Sequence, residues 1–538
     1  MMLPVLLLSA LVAQAVEPVR FRETAATAGV KFVLDNHASP DKQMIETMAG
    51  GMAAFDYDGD GRTDLFFTNG AAIPSRKKEA PKYWNRLYRN VTEPGGAIRF
   101  QDVTEQAGLA GEGYSMGAAA ADFDNDGHVD LFVAGVYRNL LYRNLGNGKF
   151  EEITGKSGIQ SDIWSVAGGW FDYDNDGLVD LLVVNYSNWS AEANRFCGDT
   201  ARKIRVYCHP KYFDPVPNQL YRNLGGGRFQ DVTAASGIGG SKGRGMSVAF
   251  ADYDNDGRID AFVTNDNLPN FLFRNLGGGK FEETGLLAGA ALLDNGKPVA
   301  SMGADFRDYN NDGQPDIIVT ALAGETFPLF RNDGKGGFRD QTFASRLGPQ
   351  TIRRSGWGVG FIDFNNDGWK DLFTANSHVN DIIGMFEALP YKEPNAVFAN
   401  LGNGEFRDDS ATFTLSRAHR GAAFADFNGD GRMDVAVSCL NEPAELWENV
   451  TGGGHHWIRL MPRGVKSNRD GIGARFRIGT QSNWMSPSVS YASSSHAGVH
   501  FGLGRQAGAV DVEVVWPSGH KQVEKIPGVD VVHVIEER

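Results

Sequence analysis

The chain has 538 residues, too many for one ordinary hydrophobic core, so several domains or a repeat architecture is expected. With 42% hydrophobic and 22% charged residues its composition is globular, not disordered. Its 66 acidic against 52 basic residues give a formal charge of -14, which argues against general nucleic-acid binding and suits a protein that collects cations.

At the N-terminus Leu3 to Val12 is almost entirely apolar, and Ala13-Gln14-Ala15 makes an A-x-A cleavage site, although no basic residue precedes the run. Residues 1–15 therefore read as a signal peptide, and the mature chain is expected to be secreted, periplasmic or at the cell surface. No Cys stands at the cleavage point to carry a lipid, and no segment reaches the ~18 apolar residues of a membrane span.

Next comes a short aromatic strand, Phe21-Arg-Glu-Thr24, and then three patterns that recur seven times in the same order. The first is an acidic loop, D-x-[DN]-x-D-G-x-x-D. The second is a strand ending in Arg-Asn or a variant, such as Leu141-Tyr-Arg-Asn144. The third is an aromatic strand after a glycine turn, such as Phe150-Glu-Glu-Ile-Thr154. The loops start 50 to 80 residues apart, a blade-sized period. Their flanks are small-residue or β-branched runs with no helical period, so each unit supplies four strands. The last unit lacks its aromatic strand and the N-terminus has one spare. Pairing the two would close the ring and remove its open edges.

The loop spacing is itself a ligand pattern. Side chains at positions 1, 3 and 5 point inward around a turn that Gly at position 6 permits, and the carboxylate at position 9 adds two oxygens. Hard Ca²⁺ prefers such an oxygen cage; the rival reading is a solvated Asp/Asn-Gly turn. The candidate ligands are, loop by loop, Asp56, Asp58, Asp60 and Asp64; Asp122, Asp124, Asp126 and Asp130; Asp172, Asp174, Asp176 and Asp180; Asp252, Asp254, Asp256 and Asp260; Asp308, Asn310, Asp312 and Asp316; Asp363, Asn365, Asp367 and Asp371; and Asp426, Asn428, Asp430 and Asp434. Up to seven structural Ca²⁺ are expected. An EF-hand is excluded, because its position-12 Glu would fall on Phe67 or Val133 and the flanks are strands. Loops five to seven carry Asn at position 3 and should bind more weakly.

Three long loops, Ile73 to Trp84, Tyr186 to Asn218 and Asn376 to Asn395, belong on the face opposite the acidic loops and are candidates for ligand contact. The middle one offers Trp189, Arg202, Arg205, Tyr207, His209 and Tyr212, a mixture that suits anionic or sugar-like ligands, or merely packs over neighbouring blades. Its Cys197 and Cys208 would close a small ring in an oxidising compartment, or stand as two free thiols; Cys439 reads as a buried thiol. Asn90, Asn188 and Asn449 sit in N-x-[ST] sequons.

Beyond Gly452-Gly-Gly454 the chain reads as short strands, clearest at Asp511-Val-Glu-Val-Val-Trp516 and Val529 to Ile535, with His496 and His500 as a metal pair or a structural one. The acidic loops resemble the FG-GAP/VCBS repeats of integrin α-chain propellers. Ser467-Asn-Arg-Asp-Gly-Ile-Gly-Ala-Arg475, His500-Phe-Gly-Leu-Gly504 and Val515-Trp-Pro-Ser-Gly519 resemble the ASPIC/UnbV domain. The combination is similar to bacterial members of the cartilage acidic protein 1 family. That resemblance implies a secreted calcium-binding propeller whose molecular role is largely undefined, and it supplies no catalytic residue.

The expected fold is all-β: a seven-bladed β-propeller over residues 16–450, closed by the N-terminal strand, followed by a small β-sandwich-like domain over 451–538. The expected function is an extracellular binding or adhesion module for a glycan, matrix or protein ligand. The alternative is an extracytoplasmic hydrolase or lyase with its site in the channel or long loops, although no H-E-x-x-H, G-x-S-x-G or P-loop signature is present.

Overall fold

The computed structural model describes residues 16–159 and 162–538, so the expected signal segment lies outside the described residues. Each acidic loop joins the first two of four antiparallel strands in one sheet, and the first sheet carries a fifth strand from the C-terminal part. In the second unit these strands are Ser115–Ala121, Asp130–Gly135, Leu140–Asn144 and Phe150–Glu152. The first two are buried along their whole length, because neighbouring sheets cover both faces, and their sequences are correspondingly apolar or small throughout. The outermost strand buries only Phe150 and leaves both its glutamates in solvent. First strands of successive sheets neighbour one another in a closed ring. The spare strand Phe21–Glu23 pairs with Glu445–Asn449 and completes the seventh sheet, as the sequence predicts.

The three repeating patterns turn out to be one joint between sheets. The Asn ending each Arg-Asn strand is buried and donates its amide to the position-2 carbonyl of the preceding acidic loop. Asn144 reaches Tyr57 O at 2.8 Å and Asn275 reaches Tyr173 O at 2.8 Å. The same bond recurs from Asn223, Asn332, Asn400 and Asn449, and Asn90 closes the circle on Phe427 O at 2.9 Å. Beside each bond the Phe of the outer strand packs on the position-2 ring of the preceding loop, with centroids 5.2 to 6.4 Å apart at all seven joints. Asn90 and Asn449 are fully buried by this role, which takes both sequons away from any glycosyl transfer to the folded chain; Asn188 is exposed. Replacing Asn275 by Ala strands the Tyr173 and Ile259 carbonyls and should cost about 1–3 kcal/mol. Thermal unfolding beside a control at the exposed Asn403 checks this.

The C-terminal part forms two small sheets. One pairs His456–Arg463 with Val499–Gly504 and Val531–Glu536; the other runs Gln481–Trp484, Arg475–Ile478, Val510–Val515, Lys521–Ile526. Their apolar faces share a core that continues into the second and third propeller sheets through Phe123, Trp170 and Phe229. These sheets lie against the acidic-loop side: Asp122 N donates to Asp470 Oδ2 at 2.8 Å, and His455 Nδ1 lies 2.9 Å from Asn365 O.

Between them the chain leaves the small domain and enters the ring. Ser494–His496 adds a parallel strand to Met52–Phe55. Ala118 N donates to Ala492 O at 3.1 Å, Val359 N and Ala422 N donate to Ser490 Oγ at 3.1 and 3.2 Å, and the Tyr491 hydroxyl donates to Met48 O at 2.6 Å. This segment explains the small residues of the first strands. A β-carbon on Gly51, just before its first strand, would collide with Ala492 O, and one on Gly117, within Ser115–Ala121, would lie 2.9 Å from the same oxygen. The channel named for an enzymatic site is therefore filled along this stretch by the protein's own backbone.

Candidate metal centres and a ligand pocket

In every acidic loop the position-1 carboxylate accepts the backbone N–H groups of positions 5 and 6; in the second loop Asp126 N and Gly127 N reach Asp122 at 3.0 and 2.7 Å. The position-9 carboxylate is buried and accepts two more, from position 2 and from the Asn of the Arg-Asn strand: Phe123 N at 3.1 Å and Asn144 N at 2.7 Å for Asp130. These bonds hold both carboxylates facing the position-3 side chain. Carboxylate oxygens of Asp56, Asp58 and Asp64 all lie within 4.8 Å of one another, and the same holds for Asp122, Asp124 and Asp130, for Asp172, Asp174 and Asp180, and for Asp252, Asp254 and Asp260.

One oxygen marks these four loops. Oδ1 of Asp58, Asp124, Asp174 and Asp254 is buried without a hydrogen-bond partner, although Oδ2 of each pairs with the Arg of its Arg-Asn strand at 2.6 to 2.9 Å. A buried, unpartnered carboxylate oxygen among like charges is costly unless a cation fills the gap. Burial, with the neighbouring carboxylates, pushes Asp122 and Asp172 up to about 7 and Asp130 to about 9. All the donors are oxygens, which fits Ca²⁺.

Loops five to seven differ. Asn310, Asn365 and Asn428 accept the position-5 N–H at 2.9 to 3.2 Å, and the amides of Asn365 and Asn428 donate to Asp367 and Asp430 at 3.0 Å. Protein cations also approach. Buried Lys370 Nζ donates to Asp308 O at 2.8 Å and to Ser482 O at 3.2 Å; burial raises Asp426 above the usual carboxylate range, and the Arg459 charge opposes that rise. The Arg of the Arg-Asn strand becomes Ala399 and Glu448 in the last two units. Loop-by-loop Ca²⁺ titration should accordingly find four tight sites and three weaker ones; tightest binding at loops six and seven would contradict this.

On the opposite face the loop from Tyr186 to Asn218 is closed by a Cys197–Cys208 disulfide, and Cys439 is a buried free thiol. Tyr207 and His209 line a cavity of ≈ 320 Å³ at the mouth of the ring. The other four candidates do not. Trp189 is fully buried with its ring 5.9 Å from that of Trp164, so it is core and presents no surface to a ligand. Arg202 is exposed and pairs with Asp199, Arg205 pairs with Asp41 at 3.1 Å, and Tyr212 lies outside under the Arg195 guanidinium. The first long loop packs in the same way, its half-buried Lys78 donating to the carbonyls of Asn69, Gly70 and Tyr83.

The rest of the cavity wall comes from residues with no local signal: Met44, Met48, Met246 and Met302, with Trp357 and the carboxylates of Asp266 and Glu325. They come from four separate units and meet only when the ring closes. Asp266 accepts the Tyr186 hydroxyl at 2.7 Å, and burial raises both Asp266 and Glu325 above the usual carboxylate range. His496 and His500 do not act together: His496 pairs with Asp470 at 2.9 Å, and His500 Nε2 lies 2.7 Å from Asn366 Oδ1.

Comparison with known proteins gives two family matches. The FG-GAP-like repeat model matches residues 56–133, 122–183, 212–263, 253–319, 308–374 and 380–437, more than half of the chain. The ASPIC and UnbV model matches 464–538. Cartilage acidic protein 1 of Homo sapiens is 24% identical over 94% of this chain and 66% of its own length. The Mus musculus protein is 27% identical over 60% of this chain and 49% of its own. The chain thus spans about half to two thirds of the length of these relatives. Among solved structures, YCF48 bound to D1 peptide aligns at TM-score 0.43 and 8% identity, covering 82% of this chain and 99% of that one. An Agrocybe aegerita lectin studied for recognition of non-reducing terminal N-acetylglucosamine aligns at 0.40 and 16%, covering 74% and 87%.

Proposed function

The chain belongs to the FG-GAP-like repeat family, and from that premise we propose that it is an extracytoplasmic binding module, stiffened by calcium on one face and open to a glycan, matrix or protein ligand on the other. The observation that carries this reading is the division of labour between the two faces. The acidic loops are engaged with the C-terminal sheets and with their own Arg residues, while the cavity around Tyr207, His209 and Trp357 is walled by aromatic and thioether groups. Asp266 and Glu325 stand in that wall, and Arg202 and Arg205 of the long loop are paired elsewhere. A sugar-like or apolar group bearing hydrogen-bond donors suits such a wall better than an anion does.

Placement outside the cytoplasm is supported by the Cys197–Cys208 bridge and by the apolar leader. Among the described residues no helix is long and apolar enough to cross a membrane. When bound, Ca²⁺ supplies positive charge to the converging carboxylates of Asp56, Asp122, Asp172 and Asp252 and their loop partners. It carries no reaction step, and we assign the chain none. The test is a glycan and protein array probed in calcium with the parent and with Met302→Trp, which fills the cavity. A ligand lost in the variant supports the reading; no ligand, or one equally bound by the variant, overturns it.

A further inference from the structure

At the end of the seventh sheet away from its acidic loop, three side chains of different strands converge. His419 opens the first strand, Cys439 ends the second directly opposite it, and Glu445 opens the third. All three are fully buried, and one donor atom from each lies within 4.8 Å of the other two.

Two of these donors are held as if for a ligand. The imidazole Nδ1 lies 2.9 Å from Asn376 O, so its N–H is committed there and Nε2 faces inward. The carboxylate Oε2 accepts Asn395 Nδ2 at 2.9 Å and Trp447 Nε1 at 2.7 Å, which turns Oε1 inward. His419 Nε2 and Glu445 Oε1 then stand 3.1 Å apart, yet neither has an aligned hydrogen-bond partner. An outer ring of hydrogen bonds fixing the far atom of each ligand is the usual support of a metal site.

We propose that His419 Nε2, Cys439 Sγ and Glu445 Oε1 bind one borderline-soft divalent transition cation of the Zn²⁺ class. The mixed N, S and O donors disfavour Ca²⁺ and Mg²⁺ and suit such an ion, whose ~2.0–2.3 Å bonds would draw atoms at this spacing together. On binding, the Cys439 thiol loses its proton to solvent, and thiolate and carboxylate together balance the two charges of the ion. The ion would tie together three strands of the sheet that captures the N-terminal strand. It competes with the partly exposed Arg417, whose Nε lies 3.5 Å from Glu445 Oε1, whose side chain also hydrogen-bonds the Cys439 thiol and whose Nη1 donates to Pro443 O, and with the thiol's own bond to Val437 O at 4.0 Å.

Cobalt tests the site without interference from the acidic loops, which hold no sulfur. Cys197 and Cys208 are joined to each other, so Cys439 is the one free thiol of the chain. The full-length protein is stripped with EDTA, returned to excess Ca²⁺ and titrated with Co²⁺. The expected result is a near-ultraviolet thiolate-to-cobalt charge-transfer band saturating at one equivalent, abolished by one equivalent of Zn²⁺ and absent from Cys439→Ser, with calcium uptake unchanged. A parent protein that shows no such band at saturating Co²⁺ overturns the proposal and leaves His419 and Arg417 as counter-ions of Glu445. The same band in Cys439→Ser overturns it as well. The parent titration decides the matter even if the variant does not fold.

Discussion

A chain ending at Val450 should fail to give a cooperatively folded propeller. The loss is larger than that of an appended domain, because the segment from Ser488 to His496 is part of the ring. Its backbone supplies a strand to Met52–Phe55 and accepts Ala118 N, its Ser490 hydroxyl accepts amides from sheets six and seven, and Tyr491 is wholly buried on the axis. Removing it would leave these buried N–H groups unpaired at about 1–3 kcal/mol each, with an axial void where Tyr491 packs edge-on to Trp357 at 4.9 Å. These costs together are comparable with the whole stability of a domain. Soluble yield, circular dichroism and thermal unfolding of the truncated chain provide the check. A truncated protein that melts cooperatively at the parent temperature would contradict this assignment. Tyr491→Ala in the full chain isolates the axial packing and should cost about 3–5 kcal/mol.

The second large effect is a reversal of pH dependence on chelation. Burial and neighbouring carboxylates hold Asp122, Asp172 and Asp130 at about 7, 7 and 9, far above the ~3.9 of an unfolded aspartate. Asp64, Asp180 and Asp260 move the same way. With metal removed the folded chain thus binds more protons than the unfolded one, and stability falls as pH rises from the unfolded pKa through the folded one. Lowering the pH from about 8 to about 6.5 should therefore raise the melting temperature of the chelated protein. Below that window the buried neutral His500, held down to about 3, works in the opposite direction. With calcium bound the cation keeps the same carboxylates ionised, and melting should stay level or fall over the window. Parallel pH slopes with and without chelator would contradict the assignment of these carboxylates to metal.

Much of this was legible in the chain because the repeat states it seven times. The D-x-[DN]-x-D-G-x-x-D spacing, the Arg-Asn ending and the lone N-terminal Phe strand define the sheets, their order and the closing pair. What they do for one another was not legible. Nothing local says that Asn275 binds Tyr173 O, 102 residues earlier, or that Phe281 packs on the ring of the same Tyr173. Those partners exist only once successive sheets sit side by side. The axial segment was missed for a different reason: Ser488-Val-Ser-Tyr-Ala-Ser-Ser-Ser-His496 has the small, polar composition of a linker, and its burial comes from a ring it does not precede in sequence. Trp189 misled in the converse sense, since an aromatic in a long loop reads as a contact residue until the fold brings Trp164 beneath it. The cavity wall of Met44, Met246, Met302 and Trp357 carries no pattern at all, because four separate units contribute to it.

The central claim is that the acidic loops are metal cages on which the ring depends. The most direct test is calcium content of the mature protein by elemental analysis, coupled to thermal unfolding before and after EGTA. Four tightly held and up to three exchangeable Ca²⁺ per chain, with a large fall in melting temperature on chelation that is reversed by added Ca²⁺, is the predicted result. Little or no bound calcium and an unchanged melting temperature would show that the loops are hydrogen-bonded turns, and would contradict the account.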